Sequence, residues 1–140
     1  YGVYFGQAAL PHAPERLFYL DNAVIRGLQV YNVETQSDIP VYDLGAAAGR
    51  DPYEMFLGGA RSIIKITNPN AAQERRLIVF RDSFGSSIAP LLAAGYSEIT
   101  LVDIRYISPS SLGNLIDFTK ADDVLFLYSA SVINNSETIK

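Results

Sequence analysis

The chain has 140 residues, 11 Lys and Arg against 15 Asp and Glu, a net charge of −4 and 49% hydrophobic residues. A chain of this length can bury roughly 70% of its unfolded surface, so it can fold as one domain without disulfides or a structural metal, and with no Cys and one His it could hardly build either. The acidic balance argues against a nucleic-acid partner, and the apolar runs are far shorter than the ~20 residues of a membrane span, so no membrane insertion is predicted.

The first 75 residues show an irregular pattern. Residues 2–6 predict a short strand, and residues 39–44 predict an edge strand because they contain Pro40. Asp51 followed by Pro52 predicts a short helix that ends at Gly58-Gly59, and residues 63–66 predict another strand. The chain begins with Tyr1 and has no leader-like pattern, which favours a fragment of a longer protein.

The segment from residue 76 to residue 133 has a regular pattern. Continuous apolar runs at 77–80, 99–102 and 124–127 predict strands buried on both faces, and helical spacing lies between them. Strand, helix, strand, helix, strand at short spacing is typical of parallel βαβ units. We therefore predict one α/β domain over residues 1–140, with three layers and a mainly parallel sheet, Rossmann-like or flavodoxin-like.

Ser83 is the main candidate for chemistry. It follows the strand at 77–80, and open α/β sheets place ligand sites at the carboxyl ends of their strands. A serine there could act as a nucleophile, although Ser83 or Ser86 could instead cap the next helix, which is the commoner role. Asp82 could orient a base or hold the turn.

The other candidates have weaker patterns. His12 is the chain's only imidazole and lies in a Pro-rich loop, where a solvated residue is more common than a catalytic base. The backbone of Gly59 or the side-chain amide of Asn68 could donate to an oxyanion, but turn-forming roles are the commoner ones. No Gly-rich phosphate fingerprint occurs, and no metal or other cofactor is predicted.

Three stretches in a fixed order resemble a known family. These are residues 53–59 (YEMFLGG), residues 81–87 (RDSFGSS) and Ile104-Arg105-Tyr106, which follow one another along the chain. They resemble the carboxyl-terminal half of the DHHW family, which is similar to the SGNH-hydrolase-like domains of alginate O-acetylation enzymes. The resemblance implies that Ser83 is the nucleophile and that the protein is extracytoplasmic, in the cell envelope. The Asp-His-His-Trp segment that names the family is absent from these residues, so Ser83 lacks the expected His.

Two functions remain open at this point. The leading hypothesis is a fragment of a serine O-acyl esterase or acetyltransferase that acts on an envelope polysaccharide. In it, the N–H of Ser83 or Phe84, with Gly59 or Asn68, holds the oxyanion. The alternative is a non-catalytic envelope module that binds a glycan or a partner protein through tyrosine side chains. Under the first hypothesis the isolated chain is inactive, and under neither is an oligomeric state predicted.

Overall fold

The computed structural model describes residue 13 and residues 16–135. The strands are β1 (Gln29–Asn32), β2 (Ser37–Ile39), β3 (Ile63–Thr67), β4 (Arg76–Arg81), β5 (Glu98–Val102) and β6 (Asp123–Leu127). The helices are α1 (Ala23–Arg26), α2 (Gly85–Leu92), α3 (Pro109–Leu112) and α4 (Ala130–Asn134), and short 3-10 turns lie at Ala46–Ala48, Pro52–Met55 and Phe118–Lys120. The strand predicted at residues 2–6 lies outside the described residues.

The six strands form one mixed sheet in the order β2-β1-β3-β5-β4-β6. The pairs β2-β1, β1-β3 and β3-β5 are antiparallel, whereas β5-β4 and β4-β6 are parallel. The prediction of a mainly parallel sheet is therefore wrong. The three strands predicted at 77–80, 99–102 and 124–127 do run parallel to one another, but they make only half of the sheet.

The antiparallel half has a local physical cause. Along β1 the residues alternate between exposed and buried, with Val30 and Asn32 facing inward, and this alternation is typical of antiparallel strands with one solvated face. A four-residue turn joins β1 to β2, and Gln36 in that turn has a φ of 52°. Such a short connection can only join antiparallel neighbours, because a parallel pair needs a crossover of a dozen residues or more.

The sheet is covered unequally on its two faces. On one face, Ala89 and Ala93 from the α2 segment pack against β-strand residues such as Val79 and Leu101. On the other face, the one-turn helix α3 supplies Leu112 to a smaller cluster. The second face thus lacks a full layer of crossover helices, so the predicted three-layer, Rossmann-like or flavodoxin-like architecture is also wrong.

The loop between β2 and β3 differs from its prediction. The predicted edge strand at 39–44 is replaced by the earlier, shorter β2 and by an isolated bridge between Tyr42 and Phe56. The predicted helix after Asp51 is a 3-10 turn, in which the Tyr53 backbone N–H donates to Asp51 Oδ1 at 3.0 Å. Among the described residues no helix has the length and hydropathy that crossing a membrane requires.

Candidate active site

Ser83 lies in the turn between β4 and α2, at the carboxyl end of β4. Strand β5 pairs with one side of β4 and β6 with the other, so the strand order reverses at β4, which is where open sheets form ligand crevices. Ser83 is exposed, whereas Arg81, Asp82, Gly85 and Ser86 around it are buried. The Ser83 hydroxyl is therefore exposed to solvent, while the buried residues around it hold the turn in place.

Asp82 fixes this turn through both of its carboxylate oxygens. Its Oδ1 accepts the Phe84 backbone N–H at 3.0 Å, and its Oδ2 accepts the Ser129 backbone N–H at 2.6 Å. The side chain is buried, with 1% exposure. Asp82 thus joins the Ser83 turn to the end of β6, and it holds the turn in the way that the structural alternative for this residue predicted.

Arg81 lies beneath the turn with its side chain fully buried. Its Nη1 donates to Ser86 Oγ at 3.1 Å and to the Asp82 carbonyl at 3.4 Å, and its Nη2 donates to the Arg61 carbonyl at 3.3 Å. A Cβ at Gly85 would lie 2.5 Å from Arg81 Cβ, so only glycine fits above this side chain. Close packing of the turn on the Arg81 side chain therefore requires glycine at position 85.

The end of β5 carries the counter-charge for Arg81. The buried Asp103 carboxylate lies 3.9 Å from Arg81 Nη1 and accepts two side-chain hydrogen bonds from Arg105, at 2.9 and 2.6 Å. Burial lowers the pKa of Arg81, and the Asp103 charge opposes that shift. The hydrogen bonds from Arg105 to Asp103 raise the pKa of Arg105. The Asp103 carboxylate thus interacts with the guanidinium groups of both Arg81 and Arg105.

Two tyrosines complete the surroundings of the turn. Tyr53 Oη lies 2.9 Å from Ser87 Oγ and 3.3 Å from the Phe84 carbonyl oxygen, which connects the 3-10 turn at Pro52–Met55 to the start of α2. Tyr128 follows β6, and its buried hydroxyl has no hydrogen-bond partner among the described residues. Burial raises the pKa of Tyr128, and the negative charge of Asp103 raises it further.

The structure separates some of the predicted oxyanion donors from Ser83. The N–H groups of Phe84 and Gly59 already donate, to Asp82 Oδ1 and to the Phe56 carbonyl. Asn68 lies at the opposite end of the sheet, where its side-chain amide donates to the Ala93 carbonyl at 2.8 Å. The Ser83 N–H has no acceptor among the described residues.

His12 lies outside the described residues, so its relation to Ser83 stays a prediction. Within the described part of the chain, no group of three or more His, Cys, Asp or Glu side chains is arranged to hold a metal. The candidate site is therefore Ser83 at a strand-to-helix turn, which is held by the buried side chains of Arg81 and Asp82.

Sequence reasoning missed Arg81, Tyr53 and Tyr128 as parts of this site. An arginine that ends an apolar strand has the same pattern as a solvated one, and its burial depends on Asp103, which lies 22 positions further along the chain. The local signal that could have indicated its burial is Gly85, because a Cβ at that position would lie 2.5 Å from Arg81 Cβ.

The fold and this turn place the chain among mixed-sheet α/β proteins with a serine at a strand-to-helix turn. No family model and no curated protein matches the chain. Among solved structures, PatB1 of Bacillus cereus with a sulfonyl adduct is 28% identical at a TM-score of 0.60, and the match covers 76% of this chain and 38% of PatB1. A second structure of Bacillus cereus PatB1 is 25% identical at a TM-score of 0.59, covering 76% of this chain and 36% of that one.

A DHHW family protein from Eubacterium siraeum is also similar, with 27% identity and a TM-score of 0.59 over 81% of this chain and 39% of that one. This likeness confirms the resemblance to the DHHW family that the sequence motifs indicated. The chain spans less than two fifths of the length of each of these three structures.

Proposed function

We propose that this chain carries the nucleophilic serine of an O-acyl esterase or acetyltransferase that acts on a polysaccharide of the cell envelope. The observation that carries the proposal is the exposure of Ser83 at the carboxyl end of β4, on a turn held by the buried, hydrogen-bonded side chains of Arg81, Asp82 and Ser86. A nucleophile needs this combination, because its oxygen must reach the substrate while its position stays fixed.

The reaction takes place in two steps, acylation of Ser83 and then removal of the acyl group. Ser83 Oγ bonds to the acyl carbonyl carbon as its proton passes to a base, and the alcohol of the donor ester leaves with a proton from that base. The resulting acyl-serine is then cleaved by water, which gives hydrolysis, or by a sugar hydroxyl, which gives transfer. Both halves pass through an oxyanion on the acyl group.

The Ser83 N–H is the donor that the turn leaves free for this oxyanion. The Asp82 carbonyl, which belongs to the same peptide group as the Ser83 N–H, accepts from the Arg81 guanidinium at 3.4 Å and from the Gly85 N–H at 3.1 Å. Donation to a carbonyl polarises its peptide and strengthens the N–H on the other side. We therefore assign Arg81 the role of a positioning residue that acts through this peptide.

One solved neighbour supports the same chemistry. PatB1 forms a structure with a sulfonyl adduct, and sulfonyl reagents react with activated nucleophiles, so the same kind of reagent is the direct probe for Ser83. The described residues contain no imidazole that could act as the general base. By the resemblance to the DHHW family, an Asp-x-His segment elsewhere in the protein would supply it.

The test uses the complete gene product, meaning the longest natural polypeptide that contains these 140 residues. It is incubated with phenylmethylsulfonyl fluoride, and the adduct is measured by intact mass and located by peptide mapping. We expect one adduct on Ser83, and its loss in Ser83→Ala. The matched control is Ser37→Ala, since Ser37 is an exposed serine on the far edge of the sheet.

Equal labelling of wild type and Ser83→Ala overturns the enzyme proposal and favours the alternative, a non-catalytic binding module. Labelling of Ser83 without release of acetate from an acetylated polysaccharide keeps the nucleophile and rejects the substrate class. Release of acetate that depends on Ser83 supports both. The cellular location is tested separately, by fractionation of the complete gene product.

A further inference from the structure

A pocket of about 230 Å³ lies on the face of the sheet that α3 covers only in part. Three adjacent strands form its floor with Lys65 of β3, Thr100 of β5 and Ile78 of β4, which are neighbours in the strand register. The segment at 116–121, between α3 and β6, forms the facing wall. This Thr100 pocket is near the amino end of β4, whereas Ser83 follows the carboxyl end, so the two sites are separate.

Thr100 gives this pocket a buried polar group without a partner. The residue is 5% exposed and lies in the pocket floor, and its hydroxyl forms no hydrogen bond with any described residue. Leaving a buried hydroxyl without a hydrogen bond costs free energy, and such groups in native proteins normally bind a ligand or an ordered water. A β-branched apolar residue such as valine would suit the middle of the sheet equally well. The hydroxyl therefore indicates that the pocket holds a polar occupant.

The charged side chains of the pocket leave a surplus of one positive charge. Three cations, Lys65, Arg76 and Lys120, line it together with two carboxylates, Glu98 and Asp117. Lys120 pairs with Asp117 at 3.4 Å. The side chains of Lys65, Arg76 and Glu98 form no ion pair or hydrogen bond among the described residues. Two unpaired cations against one unpaired carboxylate favour an occupant that carries a single negative charge.

The unpaired carboxylate restricts which anion the pocket accepts. Glu98 is the neighbour of Arg76 in the register of β5 and β4, so the two side chains lie on the same face of the sheet. An ionised carboxylate accepts hydrogen bonds and donates none, so it repels an anion that brings no donor. A hydroxyl beside the anionic group of the ligand removes this conflict, because it donates to Glu98. Glu98 therefore selects hydroxylated anions over simple ones.

We propose that the Thr100 pocket binds a small polyhydroxy monoanion, in which one negatively charged group lies next to a hydroxyl. The anionic group lies between Lys65 and Arg76 and accepts from the Thr100 hydroxyl, and the neighbouring hydroxyl donates to Glu98. The volume is below the roughly 300–1,000 Å³ of pockets for drug-sized ligands, so one such unit fits. A sugar acid and a phosphodiester between polyols both have this chemistry. The proposal does not depend on the activity of Ser83.

The test is isothermal titration calorimetry of the complete gene product with defined probes. Glucuronate supplies the carboxylate form of the ligand, and glycerophosphoglycerol supplies the phosphodiester form. We expect one saturable site for at least one of them, with a Kd of about 1 mM or lower. Glucose lacks the charge, and acetate and dimethyl phosphate lack the hydroxyl, so each of these should bind at least about tenfold more weakly.

The probes also separate the two sources of the anion. Binding of glucuronate alone identifies a sugar acid, binding of glycerophosphoglycerol alone identifies a polyol phosphodiester, and binding of both supports the shared chemistry. Binding of glucose as tightly as the best probe overturns the proposal, because the charge would then be irrelevant. Equal binding of acetate or dimethyl phosphate overturns it as well, and so does the absence of saturable binding by every probe.

Variants of the complete gene product locate the site. Thr100→Val keeps the β-branched shape and removes the hydroxyl, so it should weaken binding about tenfold. Arg76→Gln should weaken it by at least about tenfold, and Arg50→Gln is the matched control because Arg50 is exposed and lies outside the pocket. Wild-type affinity in both Thr100→Val and Arg76→Gln overturns the proposal. Equal losses in Arg50→Gln and Arg76→Gln indicate non-specific attraction and also overturn it.

Two further variants give readouts that a merely structural role would not change. Glu98→Gln should reduce the preference for glycerophosphoglycerol or glucuronate over the matching hydroxyl-free anion to less than about threefold, because the repulsion is removed. An unchanged preference contradicts the role of Glu98 and overturns the proposal. Ser83→Ala should leave the affinity unchanged, so the result for this pocket stands apart from the result for the proposed enzyme.

Discussion

The two edge strands of the sheet, β2 and β6, differ in the features that decide whether an edge stays exposed. Strand β2 has three residues and exposes Ser37 and Asp38 to solvent, whereas β6 has five residues and exposes Val124, Leu125 and Phe126. Short, polar edges resist pairing, and long, apolar edges invite it. The unprotected edge is therefore the strand that pairs with β4, whose carboxyl end carries Ser83.

The largest expected effect is on the rate of ester hydrolysis. We expect the isolated chain to hydrolyse p-nitrophenyl acetate at least about a hundredfold more slowly than the complete gene product, because a general base contributes typically 10²–10⁴-fold to the rate. The measurement is initial turnover at equal protein concentration. Ser83→Ala in the complete gene product is the control. Turnover by the isolated chain that vanishes in Ser83→Ala but survives in His12→Ala would contradict this prediction, since another base would then act.

The next prediction concerns the connection between the Ser83 turn and β6. Asp82→Ala should lower the free energy of unfolding by about 3 kcal/mol or more, because two backbone N–H groups, those of Phe84 and Ser129, lose a charged acceptor in a buried site. Asp38→Ala on the β2 edge should change it by less than about 0.5 kcal/mol, since that residue is exposed. Urea denaturation of both variants gives the comparison.

Asp82→Asn sharpens this result. The amide keeps one acceptor oxygen and loses the charge, so its unfolding free energy should lie between those of wild type and Asp82→Ala. A loss below about 1 kcal/mol in Asp82→Ala would show that water replaces the carboxylate, and the end of β6 would then be less firmly held than the distances indicate.

Sequence patterns predicted part of this arrangement, for identifiable physical reasons. The strands at 77–80 and 99–102 were found because burial on both faces leaves a mainly apolar run, and the strand at 63–66 was found from three isoleucines around Lys65. The antiparallel half was missed because the partner of a strand is set by the length of its connections and not by its own residues. The run at 124–127 has the pattern of a buried strand, and the structure places it at an edge.

Sequence patterns also predicted only part of the candidate site. The position of Ser83 follows from a strand end followed by a helix, which are both local signals. The burial of Arg81 depends on Asp103 and on the carbonyl of Arg61, which reach it only through the fold. Asn68 was placed near Ser83 on residue type alone, and the antiparallel course of β3 carries it to the other end of the sheet.

The third prediction compares the solution behaviour of the two edges. At high concentration the isolated chain should self-associate through β6, and Phe126→Lys should return it to a monomer because a charge blocks pairing along this edge. Light scattering coupled to size-exclusion chromatography measures the mass. Leu44→Lys removes another exposed apolar side chain, 57% exposed against 68% for Phe126, and should not change the mass. Equal association in all three proteins would contradict the assignment of β6 as the open edge.

The smallest expected effect is a difference between two tyrosines, Tyr42, which follows β2, and Tyr128, which follows β6. Burial raises the pKa of both Tyr42 and Tyr128. A phenol whose pKa is raised in the folded state contributes stability that is present below its unfolded pKa of about 10 and is lost as the pH rises through the folded value. Each Tyr→Phe variant should therefore flatten part of the loss of stability above pH ~10.

The two variants should differ at neutral pH. Tyr42 Oη donates to the Leu20 carbonyl at 2.9 Å, so Tyr42→Phe should cost about 0.5–1.5 kcal/mol of unfolding free energy. The buried Tyr128 hydroxyl lacks a partner among the described residues, so Tyr128→Phe should be neutral within about 0.5 kcal/mol. Urea denaturation at pH 7 and pH 10.5 measures both differences. A cost for Tyr128→Phe equal to that of Tyr42→Phe would mean that the Tyr128 hydroxyl has a hydrogen-bond partner in solution.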